Sequence, residues 1–128
     1  MEWLTRKEIR EAAKKSEEAA VKCSIKHWEQ IRDATRAELT QGYDNDRVIS
    51  NHEFCALCKR YFKFKNNSPC ENCILYKIGK GCLGYGIAKN VGVYEKAREA
   101  FWDKMELNKS NRIKDFNRMI NALKKCLK

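Results

Sequence analysis

Five cysteines crowd the middle of the chain at the spacing of a metal site. They run Cys55-x2-Cys58, eleven residues, Cys70-x2-Cys73, eight residues, Cys82. A C-x2-C pair wraps one face of a tetrahedral ion and turns backbone N–H groups toward its thiolates. Two such pairs close a structural zinc site with four sulfurs. The pairs also repeat each other: Cys55-Ala56-Leu57-Cys58-Lys59-Arg60-Tyr61 and Cys70-Glu71-Asn72-Cys73-Ile74-Leu75-Tyr76 both read C-x2-C-x2-Y. The same aromatic prop behind each knuckle suits pseudo-symmetric packing about one ion. The expected ligands are Cys55, Cys58, Cys70 and Cys73, with Cys82 the substitute for Cys70; four of these five suffice, and His52 is a further donor. The expected cofactor is structural Zn2+, with an iron–sulfur cluster as the alternative for the same thiolates. Cys23 and Cys126 fall on helical stripes and read as small buried hydrophobes.

Cations and aromatics interleave after the first knuckle, in Lys59, Arg60, Tyr61, Phe62, Lys63, Phe64 and Lys65. Such alternation fits an edge strand with its cations in solvent. It fits equally a nucleic-acid platform, with lysines on phosphates and an aromatic stacked on a base. With Lys77 and Lys80, the cations Lys59, Arg60, Lys63 and Lys65 are the candidate contacts to a nucleic acid or other partner. The formal charge of +10 is unevenly spread. Residues 1–54 carry a net −1, residues 55–89 a net +6 and residues 90–128 a net +5. Positive charge concentrated on two segments suits phosphate backbones or an acidic protein surface; solubility alone is the plainer account.

One enzyme pattern competes. Zinc nucleobase deaminases carry H-x-E followed by P-C-x-x-C, and this chain contains His27-Trp28-Glu29 and Pro69-Cys70-Glu71-Asn72-Cys73. In that arrangement His27, Cys70 and Cys73 hold zinc and Glu29 moves the proton. Three features oppose it. The gap of 39 residues between Glu29 and Pro69 is long for that family. The sequence offers at most one or two short strands for a fold that needs a sheet. Cys55-x2-Cys58 would also have no role. No G-x-S-x-G or phosphate-cradling loop is present, and the C-x-x-C pairs have no thioredoxin-like βαβ setting. A non-catalytic protein is expected.

The elements around the cysteines are helical. Residues 5–40 show apolar positions at three- and four-residue steps: Ile9, Ala13, Ser16, Ala20, Cys23, His27, Ile31 and Ala34, flanked by Val21, Ile25, Trp28 and Leu39. The Ala/Glu/Lys-rich first half is either a separate helix or an exposed one. Thr5 with Glu8 makes a capping box, Gly42 is a helix stop, and Asp44-Asn45-Asp46 is a turn, with a second helix start open at Asp46. Gly79, Gly81, Gly84 and Gly86 rule out a long helix late in the cysteine segment. Residues 91–127 carry two stripes, Tyr94, Ala97, Phe101, Met105 and then Ile113, Phe116, Ile120, Leu123, Leu127. A break is expected at Asn108–Asn111 with Asn108 or Ser110 as the next N-cap; one bent helix is the alternative. The expected fold is mainly α, a single domain over residues 1–128. A helical part at 5–41 and another at 91–127 flank an irregular zinc-knuckle segment at 50–90 with at most one or two short strands.

The knuckle segment resembles a group of small, mostly uncharacterised phage and prophage proteins. They share a C-x-L-C knuckle, a C-x-x-C followed by an aliphatic-Tyr pair, and a later Gly-x-Cys pattern; this chain has Cys55-Ala56-Leu57-Cys58, Cys70-Glu71-Asn72-Cys73 with Leu75-Tyr76, and Gly81-Cys82 with no residue between. Ile74 stands where the group usually has proline. The resemblance implies zinc binding and a mobile-element origin, and no activity. The functional expectation is a zinc-stabilised module that binds a nucleic acid or nucleoprotein. The alternative is a protein–protein effector that inhibits a host defence complex. No apolar run approaches the ~20 residues that cross a bilayer, and the first residues lack the apolar core of a signal peptide. A cytoplasmic location follows, that of a bacterial host if the protein is phage-derived.

Overall fold

The computed structural model describes residues 2–48, 56, 60, 93–106 and 112–127. Five helices are delimited among them: α1 (Arg6–Lys15), α2 (Glu17–Asp33), α3 (Arg36–Asp44), α4 (Val93–Met105) and α5 (Ile113–Lys125); Ala56 and Arg60 are helical as well. The mainly α expectation holds, and no strand occurs among the described residues.

Residues 5–40, expected to be helical with the first half either a separate helix or an exposed one, are three helices. The Thr5–Glu8 capping box is formed: the Thr5 hydroxyl accepts the Glu8 N–H at 3.1 Å and the Glu8 carboxylate accepts the Thr5 N–H at 3.2 Å. The first break falls at Ser16, which is fully extended (φ −170°, ψ 165°) and caps α2 by accepting the Ala19 N–H at 3.0 Å. A serine hydroxyl offers the backbone an alternative to the helix ladder and so prefers the cap to the helix interior. The second break follows Asp33. Thr35 and Glu38 repeat the capping box of Thr5 and Glu8, with bonds of 3.1 and 2.9 Å.

Gly42 does not stop α3, which continues to Asp44. Its lack of a side chain serves packing. A Cβ there would lie 2.6 Å from Trp3 Nε1 and 2.9 Å from Val48 Cγ1. The chain turns just beyond, at Asn45 and Asp46, where the turn is expected. Asp46 takes the left-handed conformation (φ 57°), which aspartate tolerates better than most residues. Arg6 holds its carboxylate with two bonds, at 2.9 and 3.0 Å.

α4 and α5 are separate helices, interrupted by the non-helical Arg112 (φ −96°, ψ 52°). Arg112, and not Asn108 or Ser110, occupies the N-cap, and no side chain caps there. α2 packs between α1 and α5, α5 packs also on α4, and α4 on α3. The core is the meeting of the expected stripes. Ile9, Ala20, Val21, Trp28, Ile31, Leu39, Phe101, Phe116, Ile120 and Leu123 are essentially sealed from solvent. Trp28 and Phe116 lie 6.1 Å apart across the α2–α5 seam. Ile113, expected on the buried stripe, is the first residue of α5 and is 44% exposed.

Candidate metal and nucleic-acid site

Most of the candidate site lies outside the described residues. That holds for Cys55, Cys58, Cys70, Cys73, Cys82 and His52, and for Lys59, Lys63, Lys65, Lys77 and Lys80. Two neighbours in sequence are described, Ala56 between the first two cysteines and Arg60 two residues after Cys58. Both are helical, so the edge-strand reading does not hold at Arg60. Ala56 is fully buried within the helical core. Arg60 is half-buried, and its guanidinium donates to the Ala13 carbonyl at 2.9 Å. That carbonyl belongs to the last turn of α1, where four backbone oxygens lack an intrahelical donor and the helix dipole favours a cation. Of the six cations expected to meet a partner, Arg60 thus has a structural bond within the chain.

The same device recurs twice. Lys104 of α4 donates to the carbonyls of Ile31 at 2.8 Å and Arg32 at 2.9 Å, closing the last turn of α2, and stands 5.8 Å over the Phe116 ring. Burial pushes the Lys104 ammonium below its ordinary range, while Asp33 and Glu38 pull it back up. Arg36 at the start of α3 donates to the Met105 carbonyl at 3.0 Å, closing α4. At the start of α5, Arg112 gathers three carboxylates: Asp115 at 2.7 Å, Asp103 at 3.1 Å and Glu99 at 3.2 Å. Apart from the i,i+3 pair of Arg112 with Asp115, none of these bonds carries a local sequence signal, since their partners belong to different elements.

Among the described residues no group of three or more His, Cys, Asp or Glu side chains comes together to hold a metal. His27 is buried in α2, edge-on to Trp28 with ring centres 5.4 Å apart. Glu29 is half-exposed on the same helix, 3.9 Å from Arg32. Cys23 and Cys126 are half-buried, a little more open than expected. Burial, with the charge of Glu17, pushes the Cys126 thiol up, and its sulfur lies 3.5 Å from the Ala122 carbonyl; both features keep it a thiol. A polar hollow of about 400 Å³ opens beside the end of α3, lined by Trp3, Glu38, Gln41, Gly42, Asn45 and Arg47.

No helix among the described residues is long and apolar enough to cross a membrane. No protein-family model, curated protein or solved structure matches the chain.

Proposed function

We propose that the protein is a non-catalytic, zinc-stapled binding module that engages a nucleic acid or nucleoprotein through its basic middle and C-terminal segments. The observation that supports it most is the position of Ala56 and Arg60. Ala56, one of the two residues between Cys55 and Cys58, is sealed in the helical core, and Arg60, two residues after Cys58, is bonded to the end of α1. A knuckle that starts from so fixed a platform suits a closed, structural site, with Cys55, Cys58, Cys70 and Cys73 as ligands and Cys82 in reserve. His27, the donor a deaminase would require, is a core side chain packed on Trp28. The binding chemistry then falls to the charge, a net +6 over residues 55–89 and +5 over residues 90–128. A phage or prophage origin, and action in the cytoplasm of a bacterial host, fit the resemblance of the knuckles.

Two measurements test the proposal. Elemental analysis should give one zinc per chain, with helical signal lost on chelation, because the binding energy of a structural metal is folding energy. Filter binding to DNA and RNA should show affinity that falls steeply with salt. A chain without zinc, or one with no salt-sensitive binding, overturns the corresponding half. Capture of a host protein that survives nuclease treatment would point to the effector alternative instead.

A further inference from the structure

We infer that the outward face of α5 binds the phosphate backbone of a nucleic-acid duplex, with Lys114, Arg118, Asn121, Lys124 and Lys125 as its contacts. The inference rests on the nucleic-acid reading above and names the face and the form of the ligand.

Lys114, Arg118, Asn121 and Lys125 follow one another at steps of four, three and four residues, so they share one face of the helix, and Lys124 flanks it. All five are exposed. The stripe runs about 16 Å along the axis, longer than the ~12 Å width of a major groove. Its two ends can therefore reach phosphates on opposite walls. No exposed residue of α5 is acidic. The helix's one carboxylate, Asp115, is buried and held by Arg112 at 2.7 Å, while Arg118 lies 3.8 Å from it and keeps 70% of its side chain in solvent.

Lys124 and Lys125 sit in the last turn, where any helix favours cations. Lys114 does not. It is the second residue of α5, at the positive end of the dipole, where a cation costs helix stability. Among the described residues the ion pairs of this helix involve Arg112 and Arg118 and not Lys114; a phosphate gives Lys114 its counter-charge.

The composition of the face selects the ligand. α5 is a basic amphipathic helix, the pattern of membrane-surface segments, but apart from Ile113 its apolar side is taken: Phe116, Met119, Ile120, Ala122 and Leu123 are buried in the core. Protein interfaces favour aromatics and are depleted in lysine; this face has three lysines and no aromatic. Single strands are held by stacking bases on aromatics, and α5 presents none outward. Regularly spaced cations with one amide match the duplex backbone, which is read without regard to sequence.

The test uses the full zinc-loaded chain and a mixed-sequence 30-base-pair duplex in anisotropy titrations at several salt concentrations. Replacing Lys114, Arg118, Lys124 and Lys125 together with glutamine should lower the salt slope by about 3 to 4, at ~0.9 per phosphate contact. Between 50 and 200 mM salt the wild type should then lose about 100-fold more affinity than the variant. All four positions are exposed, so circular dichroism should be unchanged. A control variant with Lys7, Arg10, Lys14 and Lys15 of α1 replaced, also all exposed, removes equal charge and should change the slope by less than about 1. Equal loss in both variants overturns the inference in favour of net charge. An unchanged slope in the α5 variant, with duplex bound by the wild type, overturns the face and leaves the nucleic-acid reading standing. Failure of the wild type to bind any nucleic acid overturns both. Stronger binding to single strands or to anionic phosphatidylserine vesicles than to duplex overturns the choice of ligand.

Discussion

The Arg60 guanidinium donates to the Ala13 carbonyl at 2.9 Å, joining residues 47 apart in the chain. Arg60 follows Cys58 by two positions, so in the proposed zinc module this bond would tie the first knuckle to the end of α1. A hydrogen bond from a charged donor contributes about 1.5–3 kcal/mol. Arg60→Met keeps much of the aliphatic stem and removes the donor. It should lower the stability of the zinc-loaded protein by about 1–3 kcal/mol in denaturant titrations. After chelation the difference should shrink toward zero, because an unstapled knuckle no longer presents Arg60 to α1. A penalty of equal size with and without metal would show that the bond is independent of the zinc site.

Lys104 bridges α4 to α2 through two carbonyl bonds. Lys104→Met removes both donors and strands two oxygens at the end of α2. The expected loss is about 2–4 kcal/mol, set by those half-buried carbonyls more than by charge. Lys104→Arg retains donors and should recover much of it. If the methionine and arginine variants melt together, the carbonyl bonds are not what Lys104 contributes.

The Thr35–Glu38 capping box gives a pH dependence. The Thr35 backbone N–H, bonded at 2.9 Å, and then the Thr35 hydroxyl are among the groups holding the Glu38 carboxyl below its ordinary value. A carboxylate whose folded pKa is depressed adds stability above its unfolded value, about 4.3, and loses it as pH falls through the folded value. The wild type should therefore melt above Glu38→Gln at neutral pH, and the two should converge once pH drops well below about 4. A gap that persists in acid would assign the effect to something other than ionisation.

The sequence shows the helical stripes well, because burial of Ile9, Ala20, Trp28, Phe101 and Phe116 is dictated by period. Its misses are local competitions. Ser16 sits at a stripe position, but its hydroxyl gains more by capping α2 than by continuing α1. Thr35 and Glu38 carry the same T-x-x-E signal as Thr5 and Glu8, masked by the apolar period running through Ala34 to Leu39. Gly42 is a stop signal by type and a packing position in fact, which depends on Trp3 from 39 residues away. The pairing of Lys104 with Ile31, or of Arg36 with Met105, is invisible locally, since helix ends attract any nearby cation and only the tertiary fold says which. The α5 stripe is the reverse case. Its spacing is plain in the sequence, yet only burial of Phe116, Ile120 and Leu123 shows which side of the helix is left for a partner.

Gly42 against Trp3 tests that packing directly. Alanine is the better helix former by about 1 kcal/mol, so on propensity alone Gly42→Ala in α3 would stabilise the protein. The new methyl would instead meet Trp3 Nε1 at 2.6 Å, Trp3 Cε2 and Val48 Cγ1 at 2.9 Å, separations that real Cβ atoms do not tolerate. Overpacking of this kind costs about 1–3 kcal/mol, which exceeds the propensity gain over most of that range. The single variant should melt below the wild type. Trp3→Leu shortens the obstructing ring, so adding it to Gly42→Ala should cost less than it does in the wild-type background. The two changes should therefore couple by roughly 0.5–3 kcal/mol in a double-mutant cycle. Additivity, or a stabilising Gly42→Ala, would mean that Trp3 does not rest on α3 and that the polar hollow beside it is walled differently.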